Sequence, residues 1–326
     1  MIKSSHVGES LYSELHRIPL KTKLNEMKKT LFILLFAFGT VVNIYAGTNT
    51  FDTKKDSTET FTFWQLPSQS TSQMMSYVIK TSQGKIVVID GGASADGAYL
   101  KSFLNRLGGE VSAWFLTHEH YDHVEAFIWN LQDTSNDRIK IKKIYANFPT
   151  VSWIEKYEKQ YAFTIKDFNA AMTKAKRKKT VVNAGDEIDI DEIKIEILYV
   201  NTNTFKVNAI NNSSLLIKFS DDTKSVLFTG DLGEEAGNDI IKKVDHRKLK
   251  SEYVQMAHHG QAGIGKNLYE LINASYYLWP TPLWLWNNDN GGGKNSGPWK
   301  TLEVRKWVEE LQGKGNYVSG NGLYKF

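Results

Sequence analysis

The chain has 326 residues, 41% hydrophobic and 23% charged, which is enough apolar material for a full core and too little charge excess for a disordered chain. Its formal net charge of +4 comes mostly from the N-terminus: residues 1–46 carry six Lys/Arg and three Asp/Glu, leaving 34 against 33 in the remainder. A body that neutral excludes a large electrostatic footprint for nucleic acid, and a chain without cysteine has no disulfide framework, thiol nucleophile or zinc–thiolate site.

Met27 to Gly47 reads "MKKTLFILLFAFGTVVNIYAG". Lys28 and Lys29 precede an apolar run from Leu31 to Val42, and Ile44 and Ala46 stand at the positions a signal peptidase reads. The run is too short for a membrane span. The expectation is a signal peptide at 27–46, behind a non-native extension at 1–26 and ahead of a polar entry at 47–60. The mature protein is then expected in the periplasm or secreted, with no stable membrane span. Its body, 61–326, is expected to be one domain.

Along that body, "TFTFWQLP" reads as a strand and "MMSYVIKTSQGKIVVIDGG" as two more, joined in a hairpin at Ser82-Gln83-Gly84. Tyr99, Leu100, Phe103, Leu104 and Leu107 repeat with a helical period that stops at Gly108-Gly109. "VSAWFL" and "KIKKIYANFP" follow as strands. Residues 153–179 read as one or two helices whose basic end, Lys174 to Lys179, is a solvated terminus. "DEIDIDEIKIEILYV" alternates as a hairpin, and "SSLLIKFSDDTKSVLFTGD" repeats the pattern with Asp221-Asp222 at its turn. Helices from Glu234, from Lys266 and over 299–312 complete an α/β chain without a dividing linker.

Four apolar runs end on a residue that chelates: "KIVVID" on Asp90, "SAWFLTH" on His118, "SVLFTGD" on Asp231, and "EYVQMAHH" on His258 and His259. In α/β sheets the carboxyl ends of strands open into the crevice where ligands sit. Three of the eight histidines, His118, His120 and His123, crowd with Asp122 into six residues. Neutral imidazoles and carboxylates together suit zinc, manganese or iron. Two ions roughly 3.5–4 Å apart hold a hydroxide and polarise a phosphoryl or carbonyl oxygen.

"THEHYDH" (Thr117 to His123), Asp90-Gly91-Gly92 before it, Gly230-Asp231 and a late histidine after it together resemble the metallo-β-lactamase superfamily. "NNSSLLIKF", "SVLFTGD" and "VQMAHHG" look most like the subgroup containing the ComEC-type metallo-hydrolase domain. The resemblance implies a four-layer αββα sandwich and a metal-dependent hydrolase. It assigns His118 and His120 to a first metal, Asp122 and His123 to a second, and Asp231 to both, with Asp90 and Thr117 orienting the histidine loop. Of the late pair, His258, which directly follows the strand, is the expected ligand. His259, with Asp122, is expected to serve the chemistry, His259 by protonating a leaving group or holding substrate.

The family supplies a further first-metal histidine between the motif and the Gly-Asp strand, and residues 124–230 contain none. Tyr199 or its neighbours stand in its place, with Asn201 or Asn203 as weak oxygen donors. The expectation is therefore one firmly held ion on Asp122, His123, Asp231 and His258, zinc before manganese or iron, and a second held weakly. Glu125, where relatives often have glycine, is expected to begin a helix. In the tail, Trp284, Trp286 and Asp289 are candidates for substrate contact beside a flexible Gly291–Gly293. The expected function is an exported hydrolase of a phosphoester or related ester or amide, its substrate a small molecule or envelope-derived. The rival reading is an envelope binding protein with a degenerate metal site and an aromatic, glycan-contacting loop.

Overall fold

The computed structural model describes residues 61–326; the signal peptide, the extension before it and the polar entry lie outside the described residues. Strand β1 (Phe61–Gln65) pairs antiparallel with β2 (Ser76–Thr81), which turns at the expected Ser82–Gly84 into β3 (Ile86–Asp90). From there the chain runs parallel. Helix α1 (Gly97–Arg106) leads to β4 (Glu110–Phe115), and α2 (Tyr121–Gln132) leads to β5 (Lys140–Tyr145). The region expected to be helical over 153–179 is two helices, α3 (Val151–Tyr157) and α4 (Ala162–Lys174), separated at Glu158. The basic run after α4 is not simply solvated, because the Lys179 ammonium lies over the Phe148 ring at 5.0 Å.

The second half opens on the hairpin β6 (Glu187–Ile190) and β7 (Ile193–Tyr199), continues antiparallel through β8 (Leu216–Ser220) and β9 (Ser225–Phe228), and then changes to parallel. Strands β10 (Tyr253–Gln255), β11 (Tyr276–Trp279) and β12 (Gly315–Val318) complete this sheet, with helices α5 (Glu234–Lys243), α6 (Lys266–Ile272) and α7 (Thr301–Glu310) among the crossovers. A final strand, β13 (Tyr324–Lys325), returns to the first sheet beside β1. The order is β13-β1-β2-β3-β4-β5 in one sheet and β12-β11-β10-β9-β8-β7-β6 in the other.

The two sheets pack face to face because their alternating strands each present one apolar side. Ile193, Ile195 and Ile197 of β7 point inward, while Lys194 and Glu196 stay half-exposed. They meet Phe63, Tyr77, Val87, Ile89 and Phe115 of the first sheet. The outer faces are covered by helices: Trp64 packs on Phe103 of α1, and Trp114 on Phe127 of α2, with edge-on rings at 5.6 and 5.2 Å. On the other side Leu227, Val254 and Tyr277 pack with Ile240, Leu268, Ile272 and Val304 of α5, α6 and α7. The result is the four-layer αββα sandwich, in one domain. The carboxyl ends of parallel β3, β4, β9 and β10 open on one edge, and that is where Asp90, His118, Asp231 and the late histidines arrive.

Candidate metal centre

Each chelating side chain is aimed by a local device. Strand β3 stops at Asp90, whose backbone turns left-handed at φ 53°, and its buried carboxylate ties the motif loop down. Thr117 donates to it twice, from its amide at 2.7 Å and its hydroxyl at 2.6 Å. His123 Nδ1 lies 2.7 Å from Asp90 Oδ2. After β4, His118 and His120 share a side of the extended loop, with His118 Nε2 and His120 Nδ1 3.2 Å apart. His120 then caps α2, which raises Asp122 and His123 on its first turn. Glu125 does not begin that helix, which starts four residues earlier at Tyr121; its carboxylate instead accepts from the Ser94 amide at 3.1 Å.

Asp231 follows Gly230, which is left-handed at φ 53°; a Cβ there would meet Ser214 at 2.8 Å. The Ser214 hydroxyl accepts from the Asp231 amide at 3.0 Å. The late pair is stranger. His258 and His259 are both left-handed, at φ 51° and 54°, a conformation that costs about 1–3 kcal/mol for each such residue. Two contacts help hold the turn: the His258 amide donates to the Gly230 carbonyl at 3.1 Å, and the Thr281 hydroxyl donates to the His259 carbonyl at 2.7 Å.

That turn reverses the expected assignment of the pair. His259, fully buried, places Nε2 3.3 Å from His123 Nε2, 3.3 Å from Asp122 Oδ2 and 3.4 Å from Asp231 Oδ2. His258 does not join Asp122 and His123; it lies at the cleft side with Nε2 4.0 Å from Asp231 Oδ2. His259 is fully buried in the cluster and is not among the residues that line the cleft. The expectation failed because a left-handed residue breaks the strand's alternation, so position after the strand does not predict direction.

The donors form two groups, His118, His120 and Asp231, and Asp122, His123 and His259. They fit divalent cations. Nδ1 of His123 faces Asp90 and Nδ1 of His259 faces the Pro280 carbonyl at 2.9 Å, so both neutral rings carry their proton there and point a lone pair inward. Two lone pairs 3.3 Å apart repel unless something positive lies between them. Ligand bonds of 2.0–2.1 Å in a tetrahedron put donors about 3.3 Å apart, which is close to the 3.3–3.4 Å that separates His259 from His123, Asp122 and Asp231 and His123 from Asp231. In addition, Asp231 Oδ1 and His120 Nε2 are buried without a hydrogen-bond partner.

The electrostatics divide in the same way. Burial pushes His118 well below the ordinary imidazole range and His120 down to about 4. Burial also opposes charge on His123 and His259, but Asp231 with Asp90 or Asp122 outweighs it, lifting His123 well above its usual value and His259 to about 9. Burial likewise opposes charge on Asp122 and Asp231, and the facing histidines nevertheless hold both below the carboxylate norm. Protons thus occupy the Asp122 side when no metal does.

A cleft of about 390 Å³ leads to these groups, lined by His120, Asp122, Asp231 and His258 and by Gln73, Tyr121, Glu158, Gln160, Tyr161, Asn208, Asn211 and Gln261. The amide-bearing wall was not read from sequence. Its one signal is the "NNSS" stretch before β8, where Asn211 faces the cleft, Asn212 accepts from the amides of Gly233 and Ala236 at the start of α5, and Ser214 holds Asp231. Tyr199 and Asn201 do not replace the missing histidine. The Tyr199 hydroxyl donates to Asp239 at 2.7 Å, and Asn201 is spent on Tyr199 and on the amides of Asn203 and Thr204.

The tryptophan tail is also placed elsewhere. Trp286 packs on Trp279 and under the Arg305 guanidinium, Trp284 lies against Trp299 with the rings tilted and donates to the Thr71 carbonyl, and Asp289 accepts from the amides of Gly291 and Gly293. None of the three lines the cleft.

The family model of the metallo-beta-lactamase superfamily matches residues 72–261. The chain belongs to the metallo-β-lactamase superfamily. Its fold is similar to that of the metallo-beta-lactamase fold protein YhfI from Bacillus subtilis, with a TM-score of 0.51 at 11% identity over 82% of this chain and 100% of that one. CmlA, a diiron β-hydroxylase from Streptomyces venezuelae, gives 0.51 at 9% identity over 82% of this chain and 54% of its own. Unliganded yeast PDE1 gives 0.47 at 12% identity over 80% and 98%. No relative was found among curated proteins. Metallo-β-lactamase superfamily members are mostly metal-dependent hydrolases, although a hydroxylase shares the fold.

Proposed function

We propose that this protein is an exported, metal-dependent hydrolase acting on a phosphoester or a related ester or amide. The observation that carries this reading is the pair of donor groups around Asp231 at the floor of an open cleft. His118, His120 and Asp231 would hold one divalent cation, and Asp122, His123, His259 and Asp231 the other. When bound, such ions supply Lewis acidity toward a phosphoryl or carbonyl oxygen and lower the pKa of water.

The chain's own residues do the rest. Asp90 fixes the His123 ring and the Thr117 end of the loop. Gln261 donates to Gln73 at 3.1 Å on the cleft wall, and Glu158 is held by the Ile210 amide at 2.8 Å. These amides and the tyrosines Tyr121 and Tyr161 offer hydrogen bonds to a polar substrate. The likeness of the late strands to the ComEC-type subgroup supports the phosphoester end of the range, as analogy. The donors are nitrogen and oxygen alone, which suits zinc, manganese or iron. The aromatic-loop reading loses its geometric support, since that loop packs away from the cleft.

The test is a hydrolysis screen of the protein reconstituted with Zn²⁺ or Mn²⁺, setting chromogenic phosphodiesters beside lactams, lactones and simple esters. Turnover that disappears in His259→Ala supports the proposal, and no turnover of any substrate under either ion rejects it. Export is tested separately by N-terminal sequencing of the protein recovered from its natural host. A mature end near Gly47 is the expected result, and an intact Met1 in the cytoplasmic fraction refutes it.

A further inference from the structure

We propose that His258 is the third imidazole of the first metal site, so that one left-handed dipeptide, His258-His259, supplies both centres. The inference rests on the reading of the cluster as a metal centre and assigns a ligand which that reading leaves open. His118 and His120 face each other at 3.2 Å, and His118 Nε2 is 3.8 Å from Asp231 Oδ2. A cation there would have two imidazoles and one carboxylate already shared with its neighbour.

Among the described residues only one further histidine borders that space. His246 is exposed and bonds the Ile241 carbonyl, and His123 and His259 serve the other group. His258 Nε2 is 4.0 Å from Asp231 Oδ2, on the same cleft that His120 lines. Its Nδ1 faces the Ala262 carbonyl at 3.5 Å, which favours a proton on Nδ1 and a lone pair on Nε2. The other neighbour of Nε2 is the Asn211 side-chain nitrogen, at a long 3.4 Å. The side chain is 24% exposed toward the cleft, and because His258 lies outside the 4.8 Å spread of His118, His120 and Asp231, its coordination requires the ring to swing toward them. Consecutive left-handed residues explain how adjacent histidines reach different sides of Asp231: His259 turns inward to Asp122, and His258 turns to the cleft. The strand-end residues that the family pattern suggests for this position, Tyr199 and Asn201, are engaged with Asp239 and local amides.

The test compares wild-type protein with His258→Asn, chosen because asparagine tolerates a left-handed backbone, and with His258→Gly, which removes the strain. Metal stoichiometry is measured by elemental analysis and Mn²⁺ titration, with electron paramagnetic resonance for coupling between paired ions. Wild type is expected to bind two ions with a coupled signal. Both variants should lose coupling and weaken one ion by roughly 100-fold or more, while the other ion stays unchanged and the metal-free variants still unfold cooperatively. Two coupled ions bound to His258→Asn or His258→Gly with wild-type affinity would overturn the assignment. So would a wild type that binds one ion indifferent to His258, although the hydrolase proposal would survive that result. A wild type that binds no ion sinks both.

Discussion

The two halves of the centre share Asp231 and differ in almost everything else. The Asp122, His123 and His259 half is the more sealed: both rings are fully buried and only Asp122 reaches the cleft, His259 lies 3.3–3.4 Å from His123, Asp122 and Asp231, and both rings are oriented from behind by Asp90 and by the Pro280 carbonyl. The His118 and His120 half is the more open, through the His120 ring alone, with His118 fully buried, a 3.8 Å gap from it to Asp231 and a hydroxyl, Thr117 Oγ1, 3.2 Å behind it. The lesson is that similar residue types, supplied by one short motif, become different sites according to what stands behind each ring.

The most damaging change to this arrangement is Asp231→Ala, since both halves use its carboxylate. Hydrolysis should fall by at least on the order of 10²–10³-fold, the scale of losing one preorganised charge, and neither ion should bind stoichiometrically. Retention of either ion at wild-type affinity would show that the halves are independent. Next comes Asp90→Asn, which leaves space unchanged but weakens the hold on His123. Affinity in the sealed half should drop about 10–100-fold, with a smaller loss in the open half, which Asp90 reaches only through Thr117; equal losses in both would remove the distinction.

Protons separate the halves as well. With His259 raised to about 9 and His123 also raised, metal entering the sealed half must displace protons at neutral pH. His120, lowered to about 4, has none to give. Calorimetry in buffers of different ionisation enthalpy should therefore find proton release with one ion and none from imidazole with the other. For the metal-free protein the sign follows: a His259 pKa raised from 6.5 to about 9 contributes stability that is fully present below pH 6.5 and lost as pH climbs through 9.

Glu119 offers a smaller test beside the same loop. It is fully buried, neither oxygen bonds another residue, and burial raises its pKa to about 8. The folded state keeps a proton that the unfolded chain releases near 4.5, so stability should decline between pH 4.5 and 8 and level off above. Glu119→Met should remove that slope and add about 1–3 kcal/mol at pH 8, as read by urea denaturation. The smallest effect is expected in the tail. Trp284→Ala should cost about 1–2 kcal/mol of stability through the Trp299 and Thr71 contacts, with both metal affinities unaltered; a lost ion would return the tail to the site.

Much of the fold was legible because its signals are local. The β2–β3, β6–β7 and β8–β9 hairpins lie where alternation and turn residues put them, and α1 stops at its two glycines. The helical stretch after β5 was less accurate: its period runs on, but Glu158 leaves the helix and bonds the Ile210 amide 52 residues away. The cleft wall was illegible for the same kind of reason. Gln73, Asn211 and Gln261 are ordinary polar residues whose meeting depends on long-range packing.

Sequence alone determined the alternating strands and the chelating residues at their ends, because hydrophobic period is a property of short windows, and its motif carried the resemblance that implied the family and the sandwich. Tertiary structure decided which late histidine enters the sealed half, which faces the cleft, and that the tryptophans stay out of it. Direction after a strand depends on a backbone dihedral at φ 51° and 54°, and those angles are imposed by contacts with Gly230 and Thr281 that no local window contains.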